Sequence, residues 1–167
     1  MANKTVVTAE PGKQELFITR EFDAPRELVF KAHTDPELYE KWVGPHGMKM
    51  TIDKWEMYDG GSYSYTHERD GHKYAFFGVT HEVHAPERIV GTFEFDGLPE
   101  RGHVILGITS FEELPDGRSR VVHQSVFGSV ADRDGMVRSG MEGGVSDGYE
   151  KLDQLVAKLQ EPNTASA

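Results

Sequence analysis

The 167-residue chain carries 28 Asp and Glu against 18 Lys and Arg, a net charge of −10, with 37% hydrophobic residues and nine Phe, six Tyr and two Trp. That apolar and aromatic content fits one folded domain and is too high for a disordered acidic chain. The absence of any cluster of Lys and Arg excludes a binder that tracks nucleic-acid phosphates or an anionic membrane. With no cysteine, thiolate catalysis, disulfides, iron–sulfur clusters and thiolate zinc sites are excluded as well.

Residues 1–13 carry Pro11-Gly12 and no periodicity, which reads as a flexible N-terminal tail. The segment lacks the apolar stretch of a signal peptide, so a cytoplasmic protein is expected. Residues 14–160 form the domain, and 161–167, Glu-Pro-Asn-Thr-Ala-Ser-Ala, read as a second flexible tail. Glu15–Phe22 alternates apolar residues in strand fashion, with Arg20 on the apolar face. An inward Arg20 needs a carboxylate or a ligand anion; a guanidinium reaching water from the strand end is the expectation. Asp23-Ala24-Pro25 then offers a helix start, with Leu28, Val29 and Ala32 as its apolar positions. Thr34-Asp35-Pro36-Glu37 combines a Thr-x-x-Glu capping box with a first-turn proline, opening a short helix that Gly44-Pro45 ends.

From Gly47 to Phe127 the period changes to two. Runs at 48–57, 62–67, 74–83, 88–95, 103–112 and 118–127 are separated by short turns such as Asp59-Gly60-Gly61, Asp70-Gly71 and Pro115-Asp116-Gly117. Six strands in hairpin succession predict an antiparallel meander. Val137, Met141, Val145, Gly148, Leu152, Leu155, Val156 and Leu159 recur at helical spacing and predict one long C-terminal helix from 131 to 160. A seven-stranded antiparallel sheet with one face to cover, and one helix long enough to lie across it, makes an α+β fold with space between sheet and helix.

Phe22-Asp23-Ala24-Pro25-Arg26-Glu27-Leu28-Val29-Phe30, Thr34-Asp35-Pro36 with Trp42-Val43-Gly44-Pro45, Gly60-Gly61-Ser62-Tyr63, Glu82-Val83-His84-Ala85-Pro86-Glu87-Arg88-Ile89-Val90 and Gly148-Tyr149-Glu150-Lys151-Leu152 together resemble the Bet v 1-like, START-like superfamily. More narrowly they resemble the branch named after the activator of Hsp90 ATPase. The resemblance spans residues 15–160 and implies the helix-grip fold: a seven-stranded curved antiparallel sheet, two short helices after strand 1 and a long C-terminal helix across the sheet. The superfamily includes hydrophobic-ligand carriers, aromatase/cyclases, hormone receptors and a co-chaperone domain, so resemblance alone does not select the function. The family's co-chaperone has an additional N-terminal domain, whereas only 13 residues precede the domain here.

Several residue sets suggest a site, and each has a plain structural alternative. Gly140, Gly144 and Gly148 recur every four residues with Gly143 beside them; they either leave room for a ligand under the helix or allow close helix packing. Tyr63, Tyr65 and His67 share one strand face, as do Phe76 and Gly78 with Tyr74, and Phe93 with Phe95. These rings either line a lumen or form an ordinary core, and a single bulge would reverse a face assignment. Trp42 is either a cavity wall or a plug at the core edge. The candidate ligand-binding set is therefore Trp42, Tyr63, Tyr65, His67, Phe76, Gly78, Phe93, Phe95, Met141, Gly144, Val145 and Gly148.

Eight histidines invite a metal reading, but His67/His72 and His81/His84 lack ligand spacing, so no metal is expected. His67, His103 and His123 are expected to be hydrogen-bonded or surface residues. No Gly-x-Ser-x-Gly elbow, His-Glu-x-x-His helix, phosphate loop or dinucleotide fingerprint occurs, so no catalytic residue and no cofactor are assigned. The expected function is binding of a hydrophobic or aromatic small molecule, lipid or polyketide-like, in a cavity between sheet and helix. The alternatives are a co-chaperone-like partnership with an Hsp90-type ATPase and a cyclase- or hydrolase-like activity in the same cavity. In the latter His67, Tyr63, Tyr65 or Arg20 would move protons or hold an oxyanion.

Overall fold

The computed structural model of the protein describes residues 3–162. In chain order it contains β1 (Val6–Thr8), β2 (Glu15–Phe22), α1 (Arg26–Thr34), α2 (Pro36–Trp42), β3 (Lys49–Trp55), β4 (Ser62–Arg69), β5 (His72–His84), β6 (Arg88–Phe95), β7 (Ile105–Leu114), a 3-10 turn at Pro115–Gly117, β8 (Arg118–Val126), α3 (Val130–Arg138) and α4 (Met141–Leu159). The eight strands form one sheet in the order β1-β2-β8-β7-β6-β5-β4-β3, with every neighbouring pair antiparallel. The predicted meander is therefore β3 to β8, with β2 added beside β8. Tight turns set its register: between β4 and β5, Asp70 and Gly71 both adopt positive φ, 52° and 80°, as a two-residue hairpin loop requires.

Alternation in β2 buries Leu16, Ile18, Arg20 and Phe22. The ladder extends this face to Ser119, Val121, His123 and Ser125 of β8, then to Gly107, Thr109 and Phe111 of β7. Beyond them it takes in Ile89, Gly91 and Phe93 of β6, Phe76 of β5 and Tyr65 of β4. The packed core occupies the β2/β8 half of this face. There Leu16, Phe22, Val29, Val121 and Leu152 are fully enclosed, with Phe30, Trp42, Phe111, Tyr149 and Val156 around them. Each such large apolar side chain contributes about 1.5–3 kcal/mol on burial. The close backbone approaches of α4 are to α2, α3 and α1.

Four expectations need correction. The first 13 residues are not structureless: Val6–Thr8 pairs with Thr19–Phe17 as an edge strand, making eight strands in place of seven. The segment is also fastened by Arg133, buried in α3, which donates to the carbonyls of Glu10 at 2.8 Å and Glu15 at 3.1 Å. The C-terminal helix is two helices, because Gly140 takes φ 83° between α3 and α4. Its left-handed backbone ends one helix and redirects the next. The cap of α2 is Asp35, whose carboxylate accepts from Glu37 N at 3.0 Å, while the Thr34 hydroxyl turns back to the Phe30 carbonyl at 3.3 Å.

Arg20, finally, does not reach water. It is 2% exposed and grips Asp153 of α4, Nη2 to Oδ2 at 2.5 Å and Nη1 to Oδ1 at 3.2 Å. Of the C-terminal tail expected over 161–167, residues 163–167 lie outside the described residues.

Candidate functional site

The β4–β6 half of the concave face is built of rings. Tyr63, Tyr65, Phe76 and Phe93 stack in series across three strands, with centroids 6.2, 5.4 and 5.2 Å apart and interplanar angles of 15°, 30° and 20°. Strand alternation brings them to one face, and the ladder aligns Tyr65 with Phe76 and Tyr63 with Gly78. Gly78 is glycine because a side chain there would collide with the Tyr63 hydroxyl and the Thr92 carbonyl; that hydroxyl donates to the same carbonyl at 2.5 Å. Phe95 continues the series at 5.2 Å from Phe76. Unlike the rings of the packed half, Tyr63, Phe76, Phe93 and Phe95 are only half-buried.

The hydrogen bonding expected of His123 is present, on the same concave face of β8. His123 hydrogen-bonds Thr109 Oγ1 through Nδ1 at 2.7 Å and Ser125 Oγ through Nε2 at 3.0 Å. Its ring extends over Gly107, where a side chain would begin 3.1 Å from His123 Cε1. His33 of α1 packs edge-on against Phe111 at 4.9 Å and against Trp42 at 4.7 Å, with Nδ1 2.8 Å from the Val29 carbonyl. Burial pulls His123 and His33 down to about 4 and pushes Tyr39 up to about 12, so the imidazoles and the phenol are neutral at pH 7. All three nonetheless keep part of their surface accessible.

The remaining candidates collect elsewhere, on the seam between α2 and α4. Trp42 belongs to the packed core, its Nε1 donating to the Ala32 carbonyl at 2.8 Å and its ring stacked on Tyr149 at 5.8 Å. Gly148 faces the Trp42 carbonyl and Gly44 closely enough to serve packing, whereas Gly144 meets only Pro45, at an ordinary contact distance. Gly143 has open space around it. Met141 and Val145 pack, half-buried, against the core. His67 shares the face of Tyr65, 5.3 Å away edge-on, but its ring abuts Gly44. It is 5% exposed, and Nδ1 has no hydrogen-bond partner among the described residues. Burial, helped by the Lys151 charge, pulls it to about 4. Arg20 is committed to Asp153 and the Glu21 carbonyl and is no free oxyanion donor.

The family described as activator of Hsp90 ATPase homolog 1-like protein matches residues 23–157. The chain belongs to this family. Solved structures agree on the helix-grip architecture expected of the Hsp90-activator branch. Protein Ms6760 from Mycobacterium smegmatis is 26% identical, with a TM-score of 0.82 over 92% of this chain and 96% of its own. A protein from Arthrobacter aurescens is 24% identical, with a TM-score of 0.83 over 97% of each chain. A comparison with curated proteins finds no match.

Two concavities are found among the described residues, neither lined by the ring wall. The larger, about 610 Å³, is an open polar groove lined by Arg26, Glu82, His84, Glu87, Arg88 and Glu112 among others. His46, Asp147 and Glu150 bring ligand-type atoms within 4.8 Å of one another, but these side chains are largely exposed and pair as a histidine between two carboxylates at 3.9 and 3.6 Å. Among the described residues no helix is long and apolar enough to cross a membrane.

Proposed function

We propose that this member of the Hsp90-activator-like family binds a hydrophobic or aromatic small molecule between the β4–β7 half of its curved sheet and the helices. The observation that carries the reading is the four-ring stack Tyr63–Tyr65–Phe76–Phe93. An extended wall of half-buried rings on the concave face offers area to a flat apolar ligand. The half-burial of Tyr63, Phe76, Phe93 and Phe95, against the fully enclosed side chains of the β2/β8 half, supports it. The ligand-binding set is then Tyr63, Tyr65, Phe76, Phe93 and Phe95 with Gly78, while Trp42 and Gly148 act by holding α2 against α4.

Native mass spectrometry of freshly purified protein, followed by thermal unfolding with aromatic polyketides and lipids, tests the reading. A co-purifying mass, or a raised Tm with at least one of these classes, is expected; failure of every class to stabilise the fold contradicts it. The family description also names an Hsp90 ATPase activator, and an unchanged ATPase rate of a cognate chaperone on addition of this protein disposes of that second role.

A further inference from the structure

One end of the ring wall carries two hydrogen-bond donors with nothing to receive them. His67 follows Tyr65 on the concave face of β4, 5.3 Å from Tyr65 and 5.7 Å from Phe76, edge-on to both. Burial keeps it neutral at pH 7, so one ring nitrogen carries a proton and the other is bare. Nδ1 is sealed from solvent without a partner. A proton there would be an unmatched buried donor, so it is assigned to Nε2, which also has no hydrogen-bond partner among the described residues.

The second donor is Lys151 of α4. Asp153 leaves that helix toward β2, where it grips Arg20. Lys151 stands two residues earlier, about 200° around the helix, and so leaves on the opposite flank, with Gly148, Leu152 and Val156 buried between them. That flank adjoins His67, because Gly148, three residues before Lys151, faces Gly44, and Gly44 abuts the His67 ring. The Lys151 charge is accordingly felt at His67. Lys151 is half-buried and desolvated. Asp147, the carboxylate that acts on it, also accepts from the His46 N–H at 3.2 Å. Among the described residues Lys151 itself makes no ion pair or hydrogen bond.

Two donors, one of them a cation, call for an anionic acceptor, and the adjoining rings call for an aromatic body. Arg26 is another cation that could draw an anion, since its Nε is enclosed without a partner while Nη1 donates to the Phe111 carbonyl at 3.4 Å. It lines, however, the groove that carries Glu82, Glu87 and Glu112, whose charges repel an anion. The ring contacts of Phe111 run to Phe30 and His33, away from the wall. We infer that the ligand is an aromatic carboxylate, with its rings on Tyr65, Phe76 and Phe93 and its acid group between Lys151 and His67. This deepens the proposed binding function and rests on it.

Isothermal titration calorimetry at pH 7 with 2-naphthoate, 2-naphthol and 2-methylnaphthalene tests it, because the three share one ring system and only the first is charged. The naphthoate should bind about tenfold more tightly than either neutral compound, the worth of a charge-assisted hydrogen bond. Lys151→Met and, independently, His67→Phe should each remove most of that advantage and leave 2-methylnaphthalene binding in place, while Arg26→Met leaves the advantage intact. Naphthoate no tighter than the neutral pair, an advantage undiminished in folded Lys151→Met protein, or one lost with Arg26→Met overturns the acid-group assignment and leaves the aromatic site standing. Absence of binding by all three overturns the aromatic-site reading itself.

Discussion

Arg20 and Asp153, 133 residues apart in sequence, close a two-pronged ion pair that ties β2 to α4. The guanidinium is 2% exposed and the carboxylate 33%. Thr5 Oγ1 at 3.3 Å and the Glu21 carbonyl at 2.9 Å take further guanidinium donors, and the Phe22 ring lies 5.1 Å beneath it. Replacing Asp153 by Ala strands a buried positive charge and should cost about 3 kcal/mol in urea unfolding, the lower end for broken buried pairs because Asp153 is partly wet. Arg20→Met with Asp153→Leu should recover most of that loss. A single-variant cost below about 0.5 kcal/mol, the level of a surface pair, would contradict the assignment.

The α4 glycines divide by what surrounds them. Gly143 has nothing near the position a Cβ would take, and at Gly144 the nearest atom, Pro45 Cγ, is 3.5 Å away. Gly143→Ala and Gly144→Ala should each stabilise by about 0.5–1 kcal/mol through helix propensity. At Gly148 the Trp42 carbonyl would be 3.1 Å away. Gly148→Ala should gain less than the other two, and Gly148→Leu should push α2 from α4 and lower Tm. A Gly148→Leu protein with unchanged Tm and lost ligand binding would restore the view of Gly148 as ligand space.

Histidine titration gives opposite signs at two places. Burial holds His33, His67 and His123 near 4, against an ordinary 6.5. Between these values the unfolded chain binds protons that the native chain refuses, so their contribution is complete above pH 6.5 and is lost as pH falls toward 4. His103 is raised above 6.5 by its hydrogen bond to Asp132, at 2.9 Å, and by that carboxylate's charge. Its contribution is present below 6.5 and lost as pH rises through the raised value. NMR of the imidazole Cε1 protons should show His103 titrating above 6.5 and the three buried rings well below it; four titrations clustered at 6.5 would contradict the burial.

Arg133 links α3 to the N-terminal segment through the Glu10 and Glu15 carbonyls. Arg133→Met should cost about 2–3 kcal/mol, since hydrogen bonds to a charged group are among the stronger ones, and should speed amide exchange at Val6–Thr8. Unchanged exchange there would show that β1 holds without this anchor.

Much of this architecture is written in short-range signals. Period-two runs located β2 to β8 within a few residues, and the rings of β4 to β6 fell on one face despite register shifts at Ile52/Lys54 and Thr80/Glu82. The missed features depend on distant partners or on local geometry with little pattern. Arg20 was misplaced because Asp153 is invisible from β2. The break at Gly140 was masked by an apolar spacing that runs on from Val137 to Met141. β1 is three residues long, too short to show alternation. His33 carried one faint sign, its place four residues after Val29 on the buried face of α1. The Thr109–His123–Ser125 group arises only when β7 and β8 pair.

The most direct measurement is an NMR map of the complex with 2-naphthol, reading intermolecular NOEs from the naphthol ring protons to assigned side chains. Binding at the ring wall should give NOEs to the rings of Tyr63, Phe76 and Phe93. NOEs confined to the Arg26–Glu82–Arg88 groove, or to exposed residues such as Tyr58 and Leu98, would contradict it.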